Sequence, residues 1–231
     1  MKLSKQNNMP ADSRPKEPLG WFTKNWLKLV DYLSLNLGGS ISPRIKQCHV
    51  INAQKGGTLL FCMYLINKHD NWSYTALAYT ALHGSYGLAW LIKERMFPDP
   101  KWQTPITMPA VLVTIGAVLG PYWLAPYFLI SSGAERPAAV ICATTISYVV
   151  GLCIMMGADA QKYFVLKERK GLITDGFFGL CRHPNYLGEM LIYGSLATMS
   201  GVPIAWAPLA VVWTGVFLYK KKTAFLIPGI F

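Results

Sequence analysis

Acidic side chains are few in this sequence. Eleven Asp and Glu face 22 Lys and Arg, and the four types together make up only 14% of 231 residues. An average soluble domain carries about 25%. With 52% of residues hydrophobic and a mean hydropathy of +0.29, the composition points to a membrane protein. Cysteine is sparse too. Cys48, Cys62, Cys142, Cys153 and Cys181 form no CxxC pair, which argues against a zinc ribbon or a disulfide framework. Cys62, Cys142 and Cys153 lie in apolar runs and are expected to pack as small apolar residues. No GxGxxG, P-loop, HExxH, GxSxG or EF-hand pattern occurs. A soluble nucleotide fold, a zinc protease, a hydrolase elbow and a calcium loop are therefore not indicated, and no metal is expected. The first residues lack the apolar core of a signal peptide. No repeat of about 20–50 residues is visible.

Long apolar runs are what the chain has in quantity. Trp72 to Ile92, Ile106 to Ile130 and Pro137 to Gly157 are each long enough to cross a hydrocarbon core, which takes about 20 helical residues. Tyr186 to Phe217 is too long for one crossing, and Gly201-Val202-Pro203 divides it into a predicted helical hairpin. Gly56 to Ile66 is shorter; an interfacial segment and a span extended through Asn67 both fit it. The predicted fold is all-α, a polytopic transmembrane bundle of about five to six spans whose last two form the hairpin. Residues 1–50 are expected to be a polar, basic arm and residues 51–231 the membrane-embedded domain. Within the arm, Trp21 to Leu37 mixes Trp, Phe, Leu and Val with Lys24, Lys28 and Asp31. An amphipathic surface helix and a disordered arm with an apolar patch fit that stretch equally.

Charge placement orients the spans. Twenty of the 22 bases fall in residues 1–55, 93–104, 158–185 and 219–231, all on one side if the short first span is real. Lys68 and Arg136 fall on the other. The positive-inside rule then puts both termini in the cytosol. The net charge of +11 suits juxtamembrane bases facing an anionic leaflet. No basic recognition helix or aromatic-rich RNA motif is present, so no nucleic-acid partner is expected. Asn71-Trp72-Ser73 matches a glycosylation sequon, but its expected loop is short and close to the bilayer, so the match reads as chance.

Chemistry concentrates between residues 158 and 189. A loop expected between two spans begins with Ala158-Asp159-Ala160-Gln161-Lys162, carries Gly171, Gly176 and Gly179 and closes at Arg182-His183, and Pro184-Asn185-Tyr186-Leu187-Gly188-Glu189 follows. Glycines let a backbone approach a ligand, while Arg and Lys suit phosphate oxygens. Pro184 suits the first turn of a helix, with Arg182 and His183 just before its positive end. Tyr186 and Glu189 then share a face. Glu189 near a bilayer boundary needs a partner, and Arg182 or Lys162 is the natural one. An Arg182–Glu189 ion pair that only fastens the loop fits as well. His183 suits proton transfer or hydrogen bonding to a ligand, and Tyr186 suits proton donation or interfacial anchoring. His83 is a second buried polar candidate, in mid-span.

These residues resemble the carboxy-terminal part of sterol Δ14-reductases and the DUF1295 branch of the steroid 5α-reductase superfamily. His83-Gly84-Ser85-Tyr86-Gly87-Leu88 and Lys93-Glu94-Arg95-Met96-Phe97-Pro98-Asp99 also look like that branch. The Arg-His-Pro-x-Tyr core is shared with isoprenylcysteine carboxyl methyltransferases. The resemblance implies an endoplasmic-reticulum membrane reductase that uses NADPH to reduce a carbon–carbon double bond in a sterol-like or other lipid. It implies that Gln161, Lys162, Arg182, His183, Asn185 and Tyr186 contact the cofactor, and that Tyr186, His183 and Glu189 are the catalytic candidates. A second reading is an S-adenosylmethionine-dependent methyltransferase of a prenylated or phospholipid substrate. The chain departs from the family pattern where Phe217-Leu218-Tyr219 runs straight into Lys220-Lys221-Lys222, with the usual intervening helix missing. An internal deletion there predicts a third reading, a homologue that keeps the fold and has impaired catalysis. The sequence does not give the oligomeric state.

Overall fold

The computed structural model describes residues 25, 28–39, 43–211 and 213–214. It is helical throughout, apart from one short antiparallel ladder of β1 (Arg44–Lys46) on β2 (Pro105–Thr107). The helices are α1 (Gln47–His69), α2 (Tyr74–Met96), α3 (Met108–Ser132), α4 (Ala138–Glu168), α5 (Phe177–Leu180) and α6 (Pro184–Ser200). Among the described residues two of them, α3 and α4, are long and apolar enough to cross a membrane.

Several boundaries differ from the sequence reading. The short apolar run Gly56 to Ile66 lies inside a full 23-residue helix, so a domain boundary at residue 50 would cut α1. The third long run continues to Glu168, which makes Gln161 and Lys162 helical and not part of a loop. Cys62 is buried, but Cys142 and Cys153 face outward and do not pack in the core. Of the Trp21 to Leu37 stretch, Trp21, Phe22, Trp26 and Leu27 lie outside the described residues. The end of the stretch is pinned: Leu37 carbonyl accepts from Thr107 Oγ1, and Asn36 Oδ1 accepts from Arg44. The tail beyond residue 214, with its shortened segment, is also outside the described part.

α3 is continuous in direction but irregular inside. Its α-helical ends, Met108–Val113 and Leu124–Ser132, flank a π stretch, Thr114–Leu119, and a 3₁₀ turn, Gly120–Trp123. Pro121 lacks an N–H and forbids a regular ladder there. Neighbouring side chains fill the gap, as buried backbone groups require. Gln54 donates to Leu119 carbonyl, and Trp123 Nε1 donates to Thr58 Oγ1.

Backbone contact between glycines sets the packing of α4 on α6. A Cβ on Gly188 would lie 2.6 Å from both the Gly151 carbonyl oxygen and the Met155 nitrogen. A Cβ on Gly151 would lie 2.7 Å from the Gly188 carbonyl oxygen. Small residues are how two helix backbones approach this closely. The far end of the pair is tied by Arg136, whose guanidinium donates to the carbonyls of Met199 and Ser200 at the end of α6. At that same end Asn71 Nδ2, the sequon amide, donates to Ile130 carbonyl.

The Gly188→Val variant is expected to lose about 1–3 kcal/mol or more through overpacking. Gly194→Ala is the control, since its Cβ would come no nearer than 3.9 Å to Trp206 or Trp213. Thermal unfolding in detergent should show a lowered midpoint for the first and an unchanged or raised one for the second.

Candidate functional site

One end of the bundle, here called the lip, gathers the start of α1, the end of α2, the Phe97–Thr107 connector, the end of α4 and the start of α6. The connector is held to α1 by the Gln47 N–H, which donates to Thr104 carbonyl. Phe97 to Asp99 follow α2, and Asp99 caps a 3₁₀ turn by accepting from Lys101 N–H. A cavity of about 180 Å³ opens there. Lys93, Asp99, Asp159, Lys162, Tyr163 and Lys167 are among its lining residues. Two ion pairs cross it: Lys93 with Asp159 and Lys162 with Asp99, each at 3.1 Å. Lys167 lies over the Tyr163 ring at 4.9 Å.

Lys162 is therefore the partner of Asp99, and the expected Lys162–Glu189 pairing is not what the structure forms. Gln161 serves the loop that follows α4. Its Nε2 donates to Asp175 carbonyl and its Oε1 accepts from Phe177 N–H, clamping the start of α5. Gly176 makes that turn with φ +56°. Arg169 pairs with Asp175 across the same loop. His183 stands at the N-cap of α6, with its ring centroid 5.4 Å from that of Tyr186. Arg182 is exposed, and Asn185 and Tyr186 are partly buried in the first turn. The structure thus puts Gln161, Lys162, Arg182, His183, Asn185 and Tyr186 at the lip, but Gln161 and Lys162 already hold protein partners.

The sequence reading missed a deeper group. Lys55 is only 5% exposed, inside α1. Its ammonium donates to Tyr193 hydroxyl, and Tyr193 hydroxyl donates to Tyr86 hydroxyl at 3.2 Å. The rings of Tyr86, Tyr193, Tyr122 and Trp90 surround Lys55 Nζ at 4.6, 4.9, 5.5 and 5.6 Å. Glu189 lies within electrostatic range of Lys55, and also of Asp159, Lys93 and Lys101. Along α6 it stands five residues in from Pro184 and one turn before Tyr193. His83, the mid-span candidate, bonds Tyr79 hydroxyl through Nδ1 at 3.2 Å in the same interior. A signal for Lys55 was present. Cys48, Ile51, Lys55, Thr58, Cys62 and Leu65 recur at three- and four-residue spacing and are all buried, so the lysine sits on the inward stripe of its helix. Among the described residues no group of three or more His, Cys, Asp or Glu could hold a metal ion.

Residues 101–225 match the model of a family described as a protein of unknown function, DUF1295. That is more than half of the chain. The chain belongs to the DUF1295 family. No curated protein and no solved structure matches it. The matched region of this DUF1295 protein holds Asp159, Lys162, Arg182, Glu189 and Tyr193, but α1 and α2, with Lys55 and Lys93, precede it.

Asp99 supports a pH prediction. Burial opposes its ionisation, but the Lys101 N–H and the Lys162 ammonium outweigh that and hold its carboxyl below the usual range. A carboxyl lowered on folding contributes stability above its unfolded pKa, and loses it as pH falls through the folded value. Both partners are partly exposed, so the pair contributes about 0.2–1 kcal/mol. Asp99→Asn should lower the thermal midpoint at pH 7, and the gap should narrow as pH falls below the usual carboxylate range. A gap that does not change with pH would show that the Asp99 charge contributes nothing.

Proposed function

We propose that this protein is a membrane reductase that takes hydride from NADPH to reduce a carbon–carbon double bond in a sterol-like or other lipid. The observation that carries the reading is the lip cavity, where three lysines and an aromatic ring converge between the end of α2, the connector and the end of α4. Cations on that scale suit phosphate oxygens, and Tyr163 suits a flat ring. At about 180 Å³ the cavity is smaller than the roughly 300–1,000 Å³ of a complete ligand pocket. It therefore suits one end of a dinucleotide, held by Lys93, Lys162 and Lys167. Arg182, His183 and Asn185, at the positive end of α6, are assigned to the other end. Bound there, the nicotinamide would supply the hydride. The resemblance of the Arg182–Glu189 stretch to the steroid 5α-reductase superfamily supports the same assignment.

The membrane part of the proposal extends beyond the two helices that pass on hydropathy. α1 and α2 have 23 residues each, about 35 Å at 1.5 Å per residue, enough to span. Leu60, Leu88, Ile92, Leu112, Ile146 and Val150 are exposed on the flanks of the bundle, where acyl chains would cover them. α6 turns at Gly201 into a 3₁₀ segment at Pro203–Ala205 and further helix, as a hairpin requires. We take five to six spans, with the lip facing the cytosol because the bases concentrate there, and the endoplasmic reticulum as the organelle.

One observation favours a second reading. Asp99 and Asp159 share the cavity with the lysines, and a mixed-charge site also suits the amino-acid end of S-adenosylmethionine. Calorimetry of the detergent-purified protein with both cofactors separates the two. NADPH should bind more tightly, and Arg182→Ala should weaken it by about tenfold, the worth of a charge-assisted contact of about 1.4 kcal/mol. Tighter binding of S-adenosylmethionine would favour methyl transfer.

A further inference from the structure

The two ion pairs that cross the lip cavity are not equivalent. In one, the Lys93 side chain is 3% exposed and that of Asp159 12%. Lys93 Nζ also lies over the Trp90 ring at 4.6 Å. Parting that pair would strand a charge away from water, so it stays closed. In the other, Lys162 is 40% exposed and Asp99 25%. A pair that water reaches is weak and opens readily. Its two halves are also held differently. Asp99 is fixed in its turn: Oδ1 accepts from Lys101 N–H, and only Oδ2, at 3.1 Å, meets Lys162. Pro100 after it keeps Asp99 extended, at φ −78° and ψ 123°. Further along, Gln103 Nε2 donates to Glu94 Oε1 and the Gln47 N–H donates to Thr104 carbonyl, so the connector is tied to both α2 and α1. Lys162 reaches Asp99 through a flexible alkyl stem. When the pair opens, the lysine moves and the carboxylate stays, with one oxygen bonded and the other hydrated.

We propose that Asp99 is a built-in competitor at the lip: its carboxylate occupies Lys162 until a diphosphate bridging Lys162 and Lys167 displaces it. The inference rests on the reading of the lip cavity as a seat for dinucleotide phosphates, and names the residue that sets the threshold for filling it. Lys167 lines the same cavity, lies over the Tyr163 ring and makes no ion pair among the described residues. Of the three cavity lysines, Lys93 is held by a buried aspartate, Lys162 by one it can leave, and Lys167 by none. An anion with a single charge meets Lys162 on the same terms as Asp99. It is outcompeted, because Asp99 is tethered beside the lysine and so present at high effective concentration. A diphosphate carries more charge on several oxygens and engages Lys162 and Lys167 together. Lys93 keeps Asp159 throughout, and an ammonium has three N–H donors, so it still has one to offer the ligand. Asp99 therefore weakens the binding of the very group that the lysines suit.

The test is calorimetry of the full-length protein in detergent at low salt, with inorganic diphosphate and NADPH as separate probes. Asp99→Asn keeps an oxygen for the Lys101 N–H and loses only the charge. It should bind diphosphate about two- to fivefold more tightly than the wild type, the factor released when a lysine leaves a partly exposed pair. NADPH binding should tighten similarly. Lys162→Met should weaken diphosphate binding, and in that background Asp99→Asn should change nothing, because no ammonium is left to free. Lys167→Met should weaken diphosphate binding with Asp99 present or replaced. Glu135→Gln removes an exposed acid at the opposite end of the bundle and should leave binding unchanged, which separates the competitor from net charge. Unchanged or weaker diphosphate binding in Asp99→Asn would overturn the proposal, as would a gain that survives in Lys162→Met. Diphosphate bound by neither wild type nor variant, with NADPH still bound, would overturn the competitor and leave the reductase reading in place. Diphosphate tightened by Asp99→Asn while NADPH binds to neither protein would uphold the competitor and overturn the dinucleotide reading.

Discussion

The backbone contact between Gly151 and Gly188 fixes where α6 delivers its side chains. With no Cβ on either residue, the two helices approach until carbonyl oxygens and amide nitrogens of one face the Cα of the other. Glu189 is the next residue after that contact. Tyr193 lies one turn further on, buried against Tyr86 and Tyr122. A larger residue at either glycine would push α6 outward and take both groups away from Lys55. The packing link and the chemical link in this molecule therefore share one contact.

Given that contact, ionisable groups fall into two tiers. At the lip, the partly exposed Lys162–Asp99 pair contributes modestly, whereas Lys93–Asp159 is largely buried, so that removing either partner would strand a charge. In the interior a single ammonium is enclosed by rings and hydroxyls. Coulomb interactions strengthen as the dielectric falls, and so does the cost of any unpaired charge. The faces of Tyr86, Tyr122 and Trp90, the Tyr193 hydroxyl that accepts from the ammonium, and Glu189 within electrostatic range together offset that cost.

Much of the helical layout was legible from apolar runs alone, because α2, α3 and α4 each carry an uninterrupted stretch. The errors have physical causes. α1 looked too short because Gln54 and Lys55 interrupt its apolar run, yet both are buried and bonded inside. Asp159-Ala160-Gln161-Lys162 looked like a loop because its polarity matches a connector. In the folded chain Asp159 turns to Lys93 and Lys162 to Asp99, and those partners lie more than sixty residues earlier. Such long-range pairs leave no local periodic trace. The Arg182–Glu189 stretch was visible because its chemistry is contiguous in sequence. Lys55, Tyr86, Tyr122 and Tyr193 come from four helices, and only the inward spacing of α1 hinted at one of them.

Binding of a dinucleotide at the lip is tested most directly by hydrogen–deuterium exchange of the full-length protein with and without NADPH, read by mass spectrometry. NADPH should slow exchange in residues 93–101 and 159–186 and leave α1 beyond Thr58 and the Arg136 end unchanged. Protection confined to other segments, or none at saturating NADPH, would contradict it.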